Sequence, residues 1–208
     1  MKLKYSLAKK AFHKSRYFKY ILLPFFLISC SSDYSPKPRG YFRIELPDPA
    51  YHDFDRSPFF RCSVSNQAQV EEWKDETSAI RKKNEIGFIL NYSRYRAKIY
   101  CTYYRILPAD FPSLSDESRR MAYQIEKKAK GVVETAYSRP NQNVYGQMYE
   151  IQGNAVCPIQ FAVSDSTSSF FRGALYFDSS FNRDSIAPAL DYINRDIHVL
   201  IESLQWRQ

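Results

Sequence analysis

The chain has 208 residues, 44% of them apolar and 16% aromatic, which excludes a disordered tail and allows one domain with a sizeable core. Its formal net charge of +8 comes from 30 Lys and Arg against 22 Asp and Glu. Seven of those cations (Lys2, Lys4, Lys9, Lys10, Lys14, Arg16, Lys19), and no acid, fall in the first 29 residues. The other 23 basic groups face 22 acidic ones, so the body lacks the basic footprint of a nucleic-acid-binding domain and no nucleic-acid partner is expected.

Residues 1–19 form a positively charged leader, and residues 20–28 an apolar run. A membrane-spanning helix needs about 20 apolar residues; this run is much shorter and Pro24 interrupts it. Leu27-Ile28-Ser29-Cys30 closes it as a lipobox, with an aliphatic residue three positions before the cysteine and a small residue just before it. Such a cysteine takes a diacylglyceryl thioether on its sulfur before a peptidase frees its amine. The organisation expected is a signal peptide over residues 1–29, a membrane tether over residues 30–38 beginning at lipidated Cys30, and a single domain over residues 39–208. Two or more acyl chains anchor a protein stably where one is marginal.

Residues 39–46 read as an extended, alternating segment closed by Pro47 and Pro49. Alternation puts Arg39, Tyr41 and Arg43 on one side, a candidate partner-docking set, while Phe42 and Ile44 fasten the segment to the domain. Asp48, His52, Asp53 and Asp55 read as a solvated loop whose spacing fits no metal site, so neither metal nor cofactor is expected. Residues 59–65 have strand composition. Residues 67–84 are polar, with Val70 and Trp73 hinting at a helical turn. Residues 86–92 and 96–106, β-branched and Tyr-rich, read as a hairpin turning through residues 93–95. On the second strand Tyr100 and Tyr104 share one face and Tyr103 takes the other, a patch able to meet a partner if exposed.

Pro108 and Pro112 bound a loop, and Ser115 is a plausible N-cap for a middle helix carrying Met121, Ala122, Ile125 and Ala129, stopped at Gly131. Four strands follow as a meander, over residues 132–138, 144–151, 155–164 and 169–178. From Asp184 the period becomes helical: Ile186, Leu190, Ile193, Ile197, Leu200, Ile201 and Leu204 share a stripe, with Asp191, Arg195, Asp196 and Glu202 directed away. The fold class expected is α+β: an antiparallel sheet in two hairpin or meander halves, with the middle helix and a C-terminal amphipathic helix packed on it.

The six glycines form no phosphate-binding fingerprint, and neither G-x-S-x-G nor H-E-x-x-H occurs. His198 stands among apolar helix neighbours and reads as structural. Cys62, Cys101 and Cys157 are spaced too widely for zinc or redox motifs and read as small buried hydrophobes, at least one without an intramolecular partner. No catalytic residue and no enzyme activity is expected.

Pro36-Lys-Pro-Arg-Gly-Tyr-Phe-Arg-Ile44, just after the lipobox cysteine, resembles the mature start of the GldD gliding-motility lipoproteins of Bacteroidota. Val144-Tyr-Gly146, Ile151-Gln-Gly-Asn-Ala155, Phe171-Arg-Gly-Ala-Leu-Tyr-Phe177 and Leu200-Ile-Glu-Ser-Leu-Gln-Trp206 agree in the same order. The resemblance implies an envelope lipoprotein needed for gliding and tied to the type IX secretion apparatus, with other gliding and secretion envelope proteins as partners. It also favours the outer over the inner membrane, with the domain in the periplasm, although Ser31-Ser32 carries no decisive sorting signal. It brings no catalytic residues. A binding module for a glycan, peptide or lipid, using the Tyr-rich hairpin, is the alternative.

Overall fold

The computed structural model describes residues 45–73, 85–125, 130–178 and 183–207. Elements run in the order β1 (Tyr51–Phe54), β2 (Phe60–Ser65), β3 (Gln69–Glu72), β4 (Glu85–Tyr92), β5 (Ala97–Arg105), α1 (Phe111–Ile125), β6 (Gly131–Arg139), β7 (Val144–Gln152), β8 (Ile159–Ser164), β9 (Ser169–Phe177), α2 (Arg183–Ser203) and β10 (Gln205–Trp206). The class is α+β, as the alternation and the two helical patterns require. A seven-stranded antiparallel sheet runs β3-β4-β5-β9-β8-β7-β6, and a small sheet runs β1-β2-β10.

The meander β6 to β9 pairs neighbour with neighbour, as short connections dictate. The hairpin β4–β5 turns through a short 3₁₀ segment, Ser93–Tyr95, with Arg96 in the left-handed region. The two halves join between β5 and β9, whose nine-residue register runs from Ala97↔Phe177 to Arg105↔Ser169. This long-range pairing has no local signal.

Alternation then sorts the faces. Phe88, Leu90, Ile99, Tyr103, Met148, Phe161, Phe171 and Leu175 face inward and belong to one buried cluster with Ile193, Ile197, Leu200, Ile201 and Leu204 of α2. Phe54 and Phe60 of the small sheet close that core, with Phe54 stacked on Phe88 at 4.6 Å and Phe60 tilted on Phe171 at 5.1 Å. An added Cβ at Gly173 would stand 2.3 Å from the Phe161 ring, so a side chain there would displace an aromatic of the core. Arg139 of β6 donates to the carbonyls of Ile201 and Leu204 at 3.1 and 3.2 Å, tying the end of α2 to the sheet; the Ile201 carbonyl also accepts the Leu204 N–H. Helix α1 lies on the opposite face against β7 and β8. Among the described residues no helix is long and apolar enough to cross a membrane.

Five expectations are corrected. The helical turn expected around Val70 and Trp73 is strand β3, because Val70 pairs with Leu90 and borrows β4 as a template. His52 and Asp53 lie in β1, paired with Val64 and Ser63, and not in a loop. Helix α1 starts four residues before Ser115: the Asp110 carbonyl accepts the first helical bond from Leu114 at 3.1 Å, and Pro112 sits in the first turn, where its missing N–H costs nothing. Strand β8 begins at Ile159, because residues 155–158 carry a bend and Pro158. The fifth is Asp196, which α2 turns inward, as described below.

Candidate functional site

On the outer sheet face α1 lies against β7 and β8. Beside it, among the described residues, the same face forms a groove of about 690 Å³ lined by Trp73, Tyr100, Thr102, Met121, Gln124, Gln160, Arg172, Ala174 and Tyr176. Strand alternation builds it: Tyr100, Ala174 and Gln160 stand in one cross-strand row, and Thr102 and Arg172 in the next. Three rings form an edge-to-face ladder, Trp73 to Tyr100 at 5.3 Å and Tyr100 to Tyr176 at 5.5 Å. Gly87, opposite Thr102, lets the indole lie flat against the sheet; a Cβ there would come within 3.2 Å of Trp73.

Arg172 is fixed from three sides. Its guanidinium lies 5.4 Å over the Tyr104 ring, 4.0 Å from the Glu117 carboxylate and 3.6 Å from the Met121 sulfur. Burial pushes the Tyr176 hydroxyl up to about 12, with the neighbouring Cys157 adding to the rise, so the phenol stays neutral. Among the described residues of the lining there is no His, Cys, Asp or Glu. The described lining therefore offers flat rings, two amides, three hydroxyls and one cation, a set suited to holding a ligand.

On the inner face Asp196 is 4% exposed, although its helical spacing predicts a solvent-facing carboxylate. It accepts hydrogen bonds from the Tyr51 hydroxyl at 2.9 Å and the Tyr92 hydroxyl at 3.1 Å. Burial raises its carboxyl above the ordinary range, with Ser65, Tyr51 and Tyr92 opposing the rise; burial and the same carboxylate push Tyr51 up to about 12. The small sheet accounts for this: it covers a second flank of α2, so one polar position is sealed and meets tyrosines from β1 and β4. His198, on the same helix, shares a hydrogen bond with the Tyr137 hydroxyl of β6. His52 is tied to the Asn66 carbonyl oxygen at 2.8 Å, and among the described residues no three His, Cys, Asp or Glu stand together as a metal site.

All three body cysteines are buried and unpaired. Burial pushes the Cys62 and Cys157 thiols up to about 12 and Cys101 well above its usual value, keeping them protonated and inert.

A family model described as gliding motility lipoprotein GldD matches residues 31–206. The chain belongs to that family. No curated protein matches the sequence. As a GldD-family member it is a lipid-anchored envelope protein and a component of gliding motility, and the match begins at the residue after Cys30.

The residues singled out in the sequence divide accordingly. Cys30, Arg39, Tyr41 and Arg43 lie outside the described residues. Tyr100 and Tyr104 share the outer face of the GldD-family sheet, whereas Tyr103 is 2% exposed within the core. The groove also draws on Trp73, Gln160 and Arg172, which sequence reasoning missed; Arg172 and Gln160 alternate with buried residues along their strands, the only local signal they carry.

Proposed function

We propose that this chain is a non-enzymatic component that assembles or stabilises the gliding and type IX secretion machinery. The single observation behind this reading is the family match over nearly the whole chain that follows the lipobox cysteine. In this reading Cys30 carries the acyl chains, residues 30–38 tether the domain of residues 39–208, and the anchor sits in the outer membrane with the domain in the periplasm. Arg39, Tyr41 and Arg43, close to that anchor in sequence, dock a partner of the machinery.

The test is cross-linking in intact envelopes followed by pull-down, with membrane fractionation alongside. Recovery of gliding or secretion proteins from outer-membrane fractions supports the proposal; recovery of none overturns the assembly role. Arg39→Ala with Arg43→Ala should weaken that recovery while leaving the envelope level intact, and unchanged recovery removes the docking assignment. Cys30→Ala should abolish labelling by a fatty-acid probe.

The aromatic ladder favours a second reading, a binding module for a glycan. Sugar rings stack on flat aromatic faces, and the Gln124 and Gln160 amides both donate to and accept from hydroxyls. Saturable oligosaccharide binding that Trp73→Ala abolishes supports it; binding of peptides alone overturns it.

A further inference from the structure

The two edges of the large sheet are unlike. At one edge β3 is four residues long and carries Glu71 and Glu72. At the other, β6 runs for nine residues, Gly131–Arg139, in unbroken register with β7 and without a bulge. Short length, charges, Lys, Pro and bulges are the usual guards of an exposed edge, and β6 has no Lys or Pro and only Glu134 between its ends. The side chains of Glu134, Tyr137 and Arg139 are engaged on the faces of the sheet, with Tyr123 and Gln147, with His198, and with the end of α2. Among the described residues no hydrogen bond reaches the outer side of this strand, so alternate N–H and C=O groups along it point outward unpaired. Val133, two residues from the midpoint of the strand, is 49% exposed.

We propose that β6 pairs with β6 of a second copy of this chain, antiparallel and centred on Thr135, joining two sheets into one. Opposed residues in an antiparallel pair share a face, so a two-fold pairing must be centred on a residue. Thr135 is the midpoint of the strand, and only this register engages all of it. It sets Val133 against Tyr137, Val132 against Ser138, Glu134 against Ala136 and Thr135 against itself, the β-branched–aromatic and Thr–Thr pairs that stabilise sheets. No like charges meet. Centring on Glu134 would oppose two carboxylates, and centring on Ala136 would leave Gly131 and Val132 unpaired. An edge contact is smaller than a stable interface in solution, but lipid anchoring confines both copies to one surface and raises their effective concentration.

The test uses the full-length lipidated protein in its own membranes. Thr135→Cys should give disulfide-linked dimers under mild oxidation, because the two positions face each other; the wild type should not, its body thiols being buried. Ser138→Cys, opposed to Val132, should give about ten-fold less. Thr135→Lys and Thr135→Glu should each lower the dimer fraction about ten-fold, through like charges meeting at the axis, and mixing the two variants should restore it. That restoration also shows both variants to be folded. Thr135→Cys dimers no more abundant than those of Ser138→Cys, charge variants that still dimerise, or cross-linking only to a different protein would each overturn the proposal.

Discussion

Tyr103 and Tyr100 lie three residues apart on β5 and live in different solvents. Tyr103 enters the sealed inner core, where its hydroxyl shares a hydrogen bond with Ser169 at 3.2 Å and its ring stacks on Phe59 at 5.1 Å. Tyr100 stands on the outer face as the middle ring of an open ladder. The residue type is the same; what differs is the layer above it. The inner face is closed by a 21-residue helix and a three-stranded sheet; among the described residues the outer face carries a 15-residue helix over β7 and β8. The inner face is therefore sealed around Tyr103, whereas Tyr100 keeps a half-buried ring in the groove.

Removing the inner layer should break this contrast most severely. Truncation before Asp184 would uncover Phe161, Phe171 and Leu175 together, and the product should aggregate without a cooperative melt in calorimetry. A soluble, cooperatively melting fragment would show that α2 is a detachable arm. Next in size, Tyr103→Ala should cost about 3 kcal/mol or more in denaturant unfolding, by the cavity it leaves in a packed core. Tyr100→Ala should cost less than about 1 kcal/mol, since its partners are half-exposed. Equal losses at the two sites would erase the distinction between the faces.

The smallest effect is a slope with pH. Asp196 has its carboxyl raised by burial, so the folded chain holds that proton more tightly than the unfolded chain does. Its contribution is thus most favourable at low pH. It falls as pH rises from the ordinary carboxylate value through the raised one, and stays constant above. Asp196→Asn keeps an acceptor for Tyr51 and Tyr92 and removes the titration. The difference in melting temperature between variant and wild type should change across that acidic window and level off above it; a constant difference would mean that Asp196 titrates normally.

What is encoded by local order was legible in the chain itself. The charged run of residues 1–19, the apolar run of residues 20–28 and the Leu27–Cys30 pattern are visible in linear order without any fold. The meander β6 to β9 and the stripe of α2 follow from backbone periods of two and 3.6 residues, which need no partner to be visible. The start of α1 was misread because Pro112 suits a helix's first turn as well as a loop, and the difference lies in whether the Asp110 carbonyl finds Leu114.

Other features depended on which surfaces come together. Strand β3 has weak propensity of its own and exists because β4 offers it a ladder. Asp196 sits at a position that helical period assigns to water, and it is buried because a second sheet packs against that flank. The groove collects Trp73, Tyr100, Arg172 and Tyr176 from segments far apart in the chain, through the β5–β9 pairing. Sequence period says which side of its own strand a residue faces; only the packed layers decide whether that side meets protein, water or a partner.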